Sequence, residues 1–113
     1  MSRDGRLYFE DALAAAEEAL ALTRGLDAPA FVANRAVYLA VERTLFILGE
    51  ALSRVTPEAR RQHPEIAWSD IIGLRNILAH GYFGVDPDIL WRTLQDDVPL
   101  LVAQLQAILG KAE

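Results

Sequence analysis

Apolar residues recur along this chain at helical spacing and almost nowhere at strand spacing. Between about Asp4 and Arg24, Phe9, Ala12, Leu13, Ala16, Ala19 and Leu20 fall on one stripe, while Glu10, Glu17 and Glu18 take other faces. That is the pattern of a helix with one covered side. Gly25 supplies a stop, and Asp27 with Pro29 a fresh start. From about Pro29 to Val55 the repeat is at its most regular. Phe31, Tyr38, Leu45 and Leu52 recur every seven residues, with Val41, Leu48 and Val55 as the companion series. A second row, Val32, Leu39 and Phe46, runs beside them. This helix is therefore expected to bury two sides, the second against another helix of its own bundle or against a second copy of the chain.

Thr56 and Pro57 mark a short helix start, and Pro64 a break. A third main helix is expected from Trp68 or Ser69 to Tyr82, ended by Gly81 and Gly84. Asp86 then caps a last helix with Pro87 at its first position. Ile89, Leu90, Leu94, Leu101, Leu105 and Ile108 should point inward from it, and Pro99 should kink or split it. No repeat, linker or low-complexity stretch interrupts the series. The expectation is one all-α domain over residues 1–113, an up-and-down bundle of four long helices plus a short one.

Composition narrows the chemistry. Cysteine is absent, which removes disulfides and thiolate metal sites. The opening "MSRDGRLYFEDAL" is charged from the start, and apolar runs last only a few residues. A cytoplasmic protein with no membrane span is expected. The net charge is −5, and ten of the eleven basic residues are arginine. A polyanion must therefore be met by local rather than bulk positive charge. Residues 28–83 are the least acidic region, with six arginines against five acids.

That region holds "LRNILAHGYFG", residues 74 to 84. Arg75, Asn76, His80 and Tyr82 are costly to bury unless paired, and they are also residue types that handle phosphate and protons. On a helix turning 100° per residue, Arg75 and Tyr82 lie nearly one above the other, whereas Arg75 and His80 stand about 140° apart. One straight helix does not aim both at a small ligand. A structural role is the competing reading: His80 suits a helix C-terminus, and Arg75 can pair with Glu42 or Glu50.

The stretch "RNILAH", an arginine and a histidine separated by four residues with Asn76 after the arginine, continues as "GY". It resembles the HEPN superfamily of small helical domains, and within it the HepT-like toxins of prokaryotic toxin–antitoxin modules. "LFILGEAL" (45–52), "HPEIAWSDIIGLRNILAHGYFGVDPDILW" (63–91) and "DVPLLVAQLQ" (97–106) follow the family's course, so the similarity covers most of the chain from about residue 31. The resemblance implies a HEPN-like fold and a dimeric, metal-independent endoribonuclease with no cofactor, Arg75 and His80 being catalytic. It further implies a type VII-like module in which a partner nucleotidyltransferase antitoxin silences the toxin by transferring AMP to Tyr82.

The chemistry suits these residues. RNA carries its own nucleophile in the 2′-hydroxyl, so a proton acceptor and a stabiliser of the phosphorane-like transition state suffice. Histidine titrates near neutral pH, and arginine presents a permanently charged fork to two phosphate oxygens. Asn76 is expected to orient His80 or the phosphate. Two copies packed through their motif helices bring His80 of one toward Arg75 of the other, which predicts an isologous dimer with a composite site; a bend near Gly81 that re-aims His80 within one chain is the alternative. Arg60 and Arg61, with His63, form a small basic patch that could guide RNA, although a solvated helix face is the plainer reading. The histidines number only two, and no ligand spacing for a metal is present. A catalytically silent helical dimer that binds a nucleotidyltransferase is the alternative function.

Overall fold

The structure is a computed structural model and describes residues 3–81 and 84–111. Seven α-helices follow one another: α1 (Arg3–Leu22), α2 (Ala28–Ala33), α3 (Arg35–Ser53), α4 (Pro57–Arg61), α5 (Trp68–His80), α6 (Pro87–Arg92) and α7 (Val98–Leu109). A π-helical turn, Thr93–Asp97, joins the last two. No strand occurs among the described residues. No helix among them is long and apolar enough to cross a membrane.

Short polar side chains set the helix starts. Asp27 accepts from the Ala30 N–H at 2.9 Å, Thr56 from Ala59 at 3.2 Å and Asp86 from Asp88 at 2.9 Å, each just before or at a proline-containing first turn. Such caps satisfy backbone donors that a helix leaves open. Asn34 adds a start the pattern did not announce. Its extended backbone (φ −102°, ψ 91°) divides the expected second helix, and its side chain accepts from the Val37 N–H at 3.0 Å to open α3. Asparagine competes well for local backbone groups, which favours a cap over a helix interior.

The heptad residues Phe31, Tyr38, Val41, Leu45, Leu48, Leu52 and Val55 are all buried. The second row is covered only at its end: Val32 is 46% and Leu39 45% exposed, whereas Phe46 is half-buried. At the C-terminal end, Leu90, Leu94, Leu101 and Leu105 reach the core, whereas Ile89 is 44% exposed because Leu90 takes the inward direction of that first turn. Pro99 lies in the first turn of α7, where its missing N–H does no harm. The disruption shows one turn upstream as the π turn.

The helices form a row, α7 against α1, α1 against α3 and α3 against α5. Overall extents of 42 × 33 × 19 Å make a slab, less than two helix diameters thick at about 10–12 Å each. At the end of that row α5 leans chiefly on α3, and none of its residues is fully buried. The helix carrying the polar motif thus has its far side open.

Candidate functional site

Glycine lets α5 come this close to α3. A Cβ at Gly49 would sit 2.6 Å from the Cβ of Arg75, well inside the ~3.5–4.0 Å of ordinary carbon contacts. The close approach delivers Arg75 to two residues of α3, and a third contact comes from its neighbour Asn76 on α5. Its Nε donates to Glu50 Oε1 at 2.6 Å, its Nη1 donates to Asn76 Oδ1 at 2.9 Å, and its Cζ lies 5.6 Å from the centre of the Phe46 ring. Arg43 approaches the same ring, its Cζ at 5.4 Å. Arg75 and Glu50 remain 28% and 29% exposed, so the pair is better described as orienting the fork than as holding the fold together. With Nε and one Nη1 proton engaged, the Nη2 end of the fork is directed by its neighbours and can receive an anion.

His80 closes α5 and is exposed. Five residues of helix place it about 140° around and roughly 7.5 Å along the axis from Arg75, while Glu50 and Phe46 draw the guanidinium toward α3. Arg75 and Asn76 are therefore brought together, and His80 faces elsewhere. Asn76 gives its oxygen to Arg75, so its amide N–H groups are what it offers to a phosphate or toward His80, one turn on.

After the helix the backbone is held from α3. The Tyr38 hydroxyl accepts from the Val85 N–H at 2.8 Å and can donate to the Val85 carbonyl at 2.6 Å or to Glu42 Oε2 at 3.1 Å. Burial pushes its pKa above the ordinary value, the largest of several influences. Gly84 adopts φ +85° against that hydroxyl, and a Cβ there would lie 2.8 Å from it. A Cβ on Gly81 would likewise meet the Ile77 carbonyl at 2.8 Å. Both glycines are required by close approach. Tyr82 lies outside the described residues.

Of the basic patch, Arg60 donates to the carbonyls of Val55 (3.0 Å) and Ser53 (2.9 Å) and stacks 5.6 Å from the Trp68 ring, which ties off the end of α3. Arg61 is exposed. His63 sits edge-on to Phe9 with ring centres 5.5 Å apart. No group of three or more His, Asp or Glu is gathered for a metal ion among the described residues.

Sequence reasoning took Phe46 as one more apolar-row member and Glu50 only as one of two possible partners for Arg75. It missed Gly49 and Tyr38 as builders of the site. A glycine amid strong helix formers signals close backbone approach. Phe46 and Glu50, one helical turn apart, share a face.

A forked cation is held in place on the open edge of a helical bundle, with an exposed imidazole on the same helix; a guanidinium fork can bind an oxyanion and an imidazole can exchange a proton. The chain belongs to the ribonuclease HepT-like family, which it matches over residues 12–108. A protein of Thermococcus cleftensis named as a probable ribonuclease HepT is 35% identical, over 96% of this chain and 98% of its own. A candidate RNase of Methanocaldococcus jannaschii is 34% identical, over 94% of this chain and 97% of its own. Another from Caldanaerobacter subterraneus is 35% identical, over 94% and 95%. No solved structure matches the chain.

Proposed function

We propose that this protein is a metal-independent endoribonuclease, the toxin of a toxin–antitoxin module of type VII kind, cutting RNA through Arg75 and His80. The observation that carries the reading is the Arg75 guanidinium, fixed by Glu50, Asn76 and Phe46 on the exposed edge of the bundle. His80 accepts the 2′-hydroxyl proton as the 2′-oxygen attacks phosphorus. The P–O5′ bond then breaks, the 5′-oxygen takes up a proton from water, and a 2′,3′-cyclic phosphate remains. Arg75 neutralises the charge that builds on the phosphoryl oxygens, and Asn76 keeps the fork in register.

The site is completed by a second copy packed through α5. Three features support this: the large separation of Arg75 and His80 on one helix, the exposed Ile77 (57%), and Gly73, mid-helix with nothing within 4 Å of its Cβ position. Glycine inside a helix costs about 0.5–1 kcal/mol, and no close approach among the described residues repays it, whereas a helix crossing close by does. RNA and a nucleotidyltransferase antitoxin are the partners, with Tyr82 the acceptor of AMP. Negative charge added there opposes phosphate binding.

Cleavage of RNA without added metal tests the first reading. His80→Ala should slow it by roughly 10²–10⁴-fold and Arg75→Ala by about 10²–10³-fold, both variants staying folded. Intact wild type that leaves RNA uncut points instead to a silent binding partner of the transferase. Incubation with the transferase and ATP should add AMP mass to wild type and none to Tyr82→Phe.

A further inference from the structure

Between α3 and α5, a cavity of about 270 Å³ is lined by Glu42, Arg43, Phe46, Leu78 and Ala79. It is just smaller than the ~300–1,000 Å³ typical of pockets for drug-sized ligands, which suits one planar heterocycle. Its walls are of the kind that stack bases. The Phe46 ring has the guanidinium of Arg43 at 5.4 Å and that of Arg75 at 5.6 Å. Bases of single-stranded RNA stack on aromatic faces and guanidinium planes. Arg75 also belongs to the phosphate-handling fork, so a nucleotide held there by its phosphate has its base beside this cavity.

Glu42 supplies the means of discrimination. Its Oε2 lies 3.1 Å from the Tyr38 hydroxyl, which can donate to it when it is not donating to the Val85 carbonyl, and an ionised carboxylate can only accept hydrogen bonds. Guanine alone among the four bases offers two adjacent donors, N1–H and the N2 amino group. Adenine and cytosine set a ring-nitrogen acceptor beside their amino group, and uracil flanks its N–H with two carbonyls. Those acceptors repel a carboxylate.

We propose that this cavity is a base subsite of the cleavage centre and takes guanine, with Glu42 accepting from N1–H and N2–H while Arg43 and Phe46 cover the ring. The proposal rests on the ribonuclease reading above. A good bidentate pair separates the right base from a wrong one by roughly 5- to 150-fold.

The test is digestion of an RNA pool of randomised sequence by wild type and by Glu42→Gln, with sequencing of the cut ends and circular dichroism to confirm folding. Wild-type cuts should carry guanine at one fixed position beside the cleaved bond, enriched at least about fivefold. Glu42→Gln should lose that enrichment and drift toward adenine, which an amide can pair. Absence of any preference in wild type, or its survival in Glu42→Gln, overturns the subsite. If wild type cuts no RNA at all, the ribonuclease reading fails separately. Titration with guanosine and adenosine monophosphates, followed by NMR signals of Phe46 and Leu78, then decides the cavity. Shifts specific to the guanine nucleotide support it, and unmoved signals overturn it.

Discussion

Gly49→Ala probes how tightly the site depends on the spacing of α3 and α5. The new Cβ would stand 2.6 Å from Arg75 Cβ and 3.4 Å from its Cα, and neither atom is the free end of a side chain. Relief to an ordinary contact moves α5 outward by about 1 Å. The Arg75–Glu50 hydrogen bond, 2.6 Å at present, then stretches to about 3.6 Å, beyond useful range. Overpacking of this kind costs about 1–3 kcal/mol, and alanine's better helix propensity returns about 1 kcal/mol. The net loss of stability should stay within about 2 kcal/mol. A reacting group displaced by 1 Å, by contrast, costs on the order of 10²-fold in rate. Thermal unfolding and single-turnover RNA cleavage, measured on one preparation, should show a modest change in the first and a collapse in the second. Cleavage within about threefold of wild type, well short of that loss, refutes the claim that Gly49 sets the geometry of Arg75.

Tyr38→Phe should lower stability by about 1–3 kcal/mol, seen as a drop in Tm, because Val85 loses its hydroxyl partner. The tyrosine's folded-state pKa is raised above the ordinary 10.0, so the unfolded chain loses the proton first. That part of the stability is fully present below pH 10 and falls away as pH rises through the folded pKa; urea titrations above pH 10 should find the fall in wild type and not in Tyr38→Phe. The new Cβ of Gly73→Ala meets nothing within 4 Å among the described residues outside its own helix backbone, and the substitution should raise the dimer dissociation constant in sedimentation while leaving the helix content of the monomer intact or improved.

Helix starts were legible where a short polar residue met a proline, as at Asp27, Thr56 and Asp86. The break at Asn34 was not, because the heptad spacing runs straight through it. Phe31 and Tyr38 lie on different helices yet both turn to the core, their ring centres 6.3 Å apart. Periodicity reports which side is covered and says nothing of a change in axis. The motif Arg75, Asn76, His80 stood out from residue types alone, and the angular separation of Arg75 and His80 followed from helix geometry. Glu42 and Glu50 were equivalent candidates for Arg75 in the sequence. The longitudinal offset of α5 on α3, fixed at Gly49, assigns Glu50 to Arg75, and Glu42 turns instead to Tyr38 one turn earlier on its own helix. Offsets between helices are tertiary quantities and leave no periodic trace.

The composite site is tested most directly by mixing two inactive variants, Arg75→Ala and His80→Ala, under conditions that exchange subunits, and following RNA cleavage. If each centre joins Arg75 of one copy to His80 of the other, half the dimers regain one of two sites, and activity returns to about one quarter of wild type. A mixture that stays as inactive as its components, or a wild-type protein that cleaves RNA while sedimenting strictly as a monomer, contradicts the account.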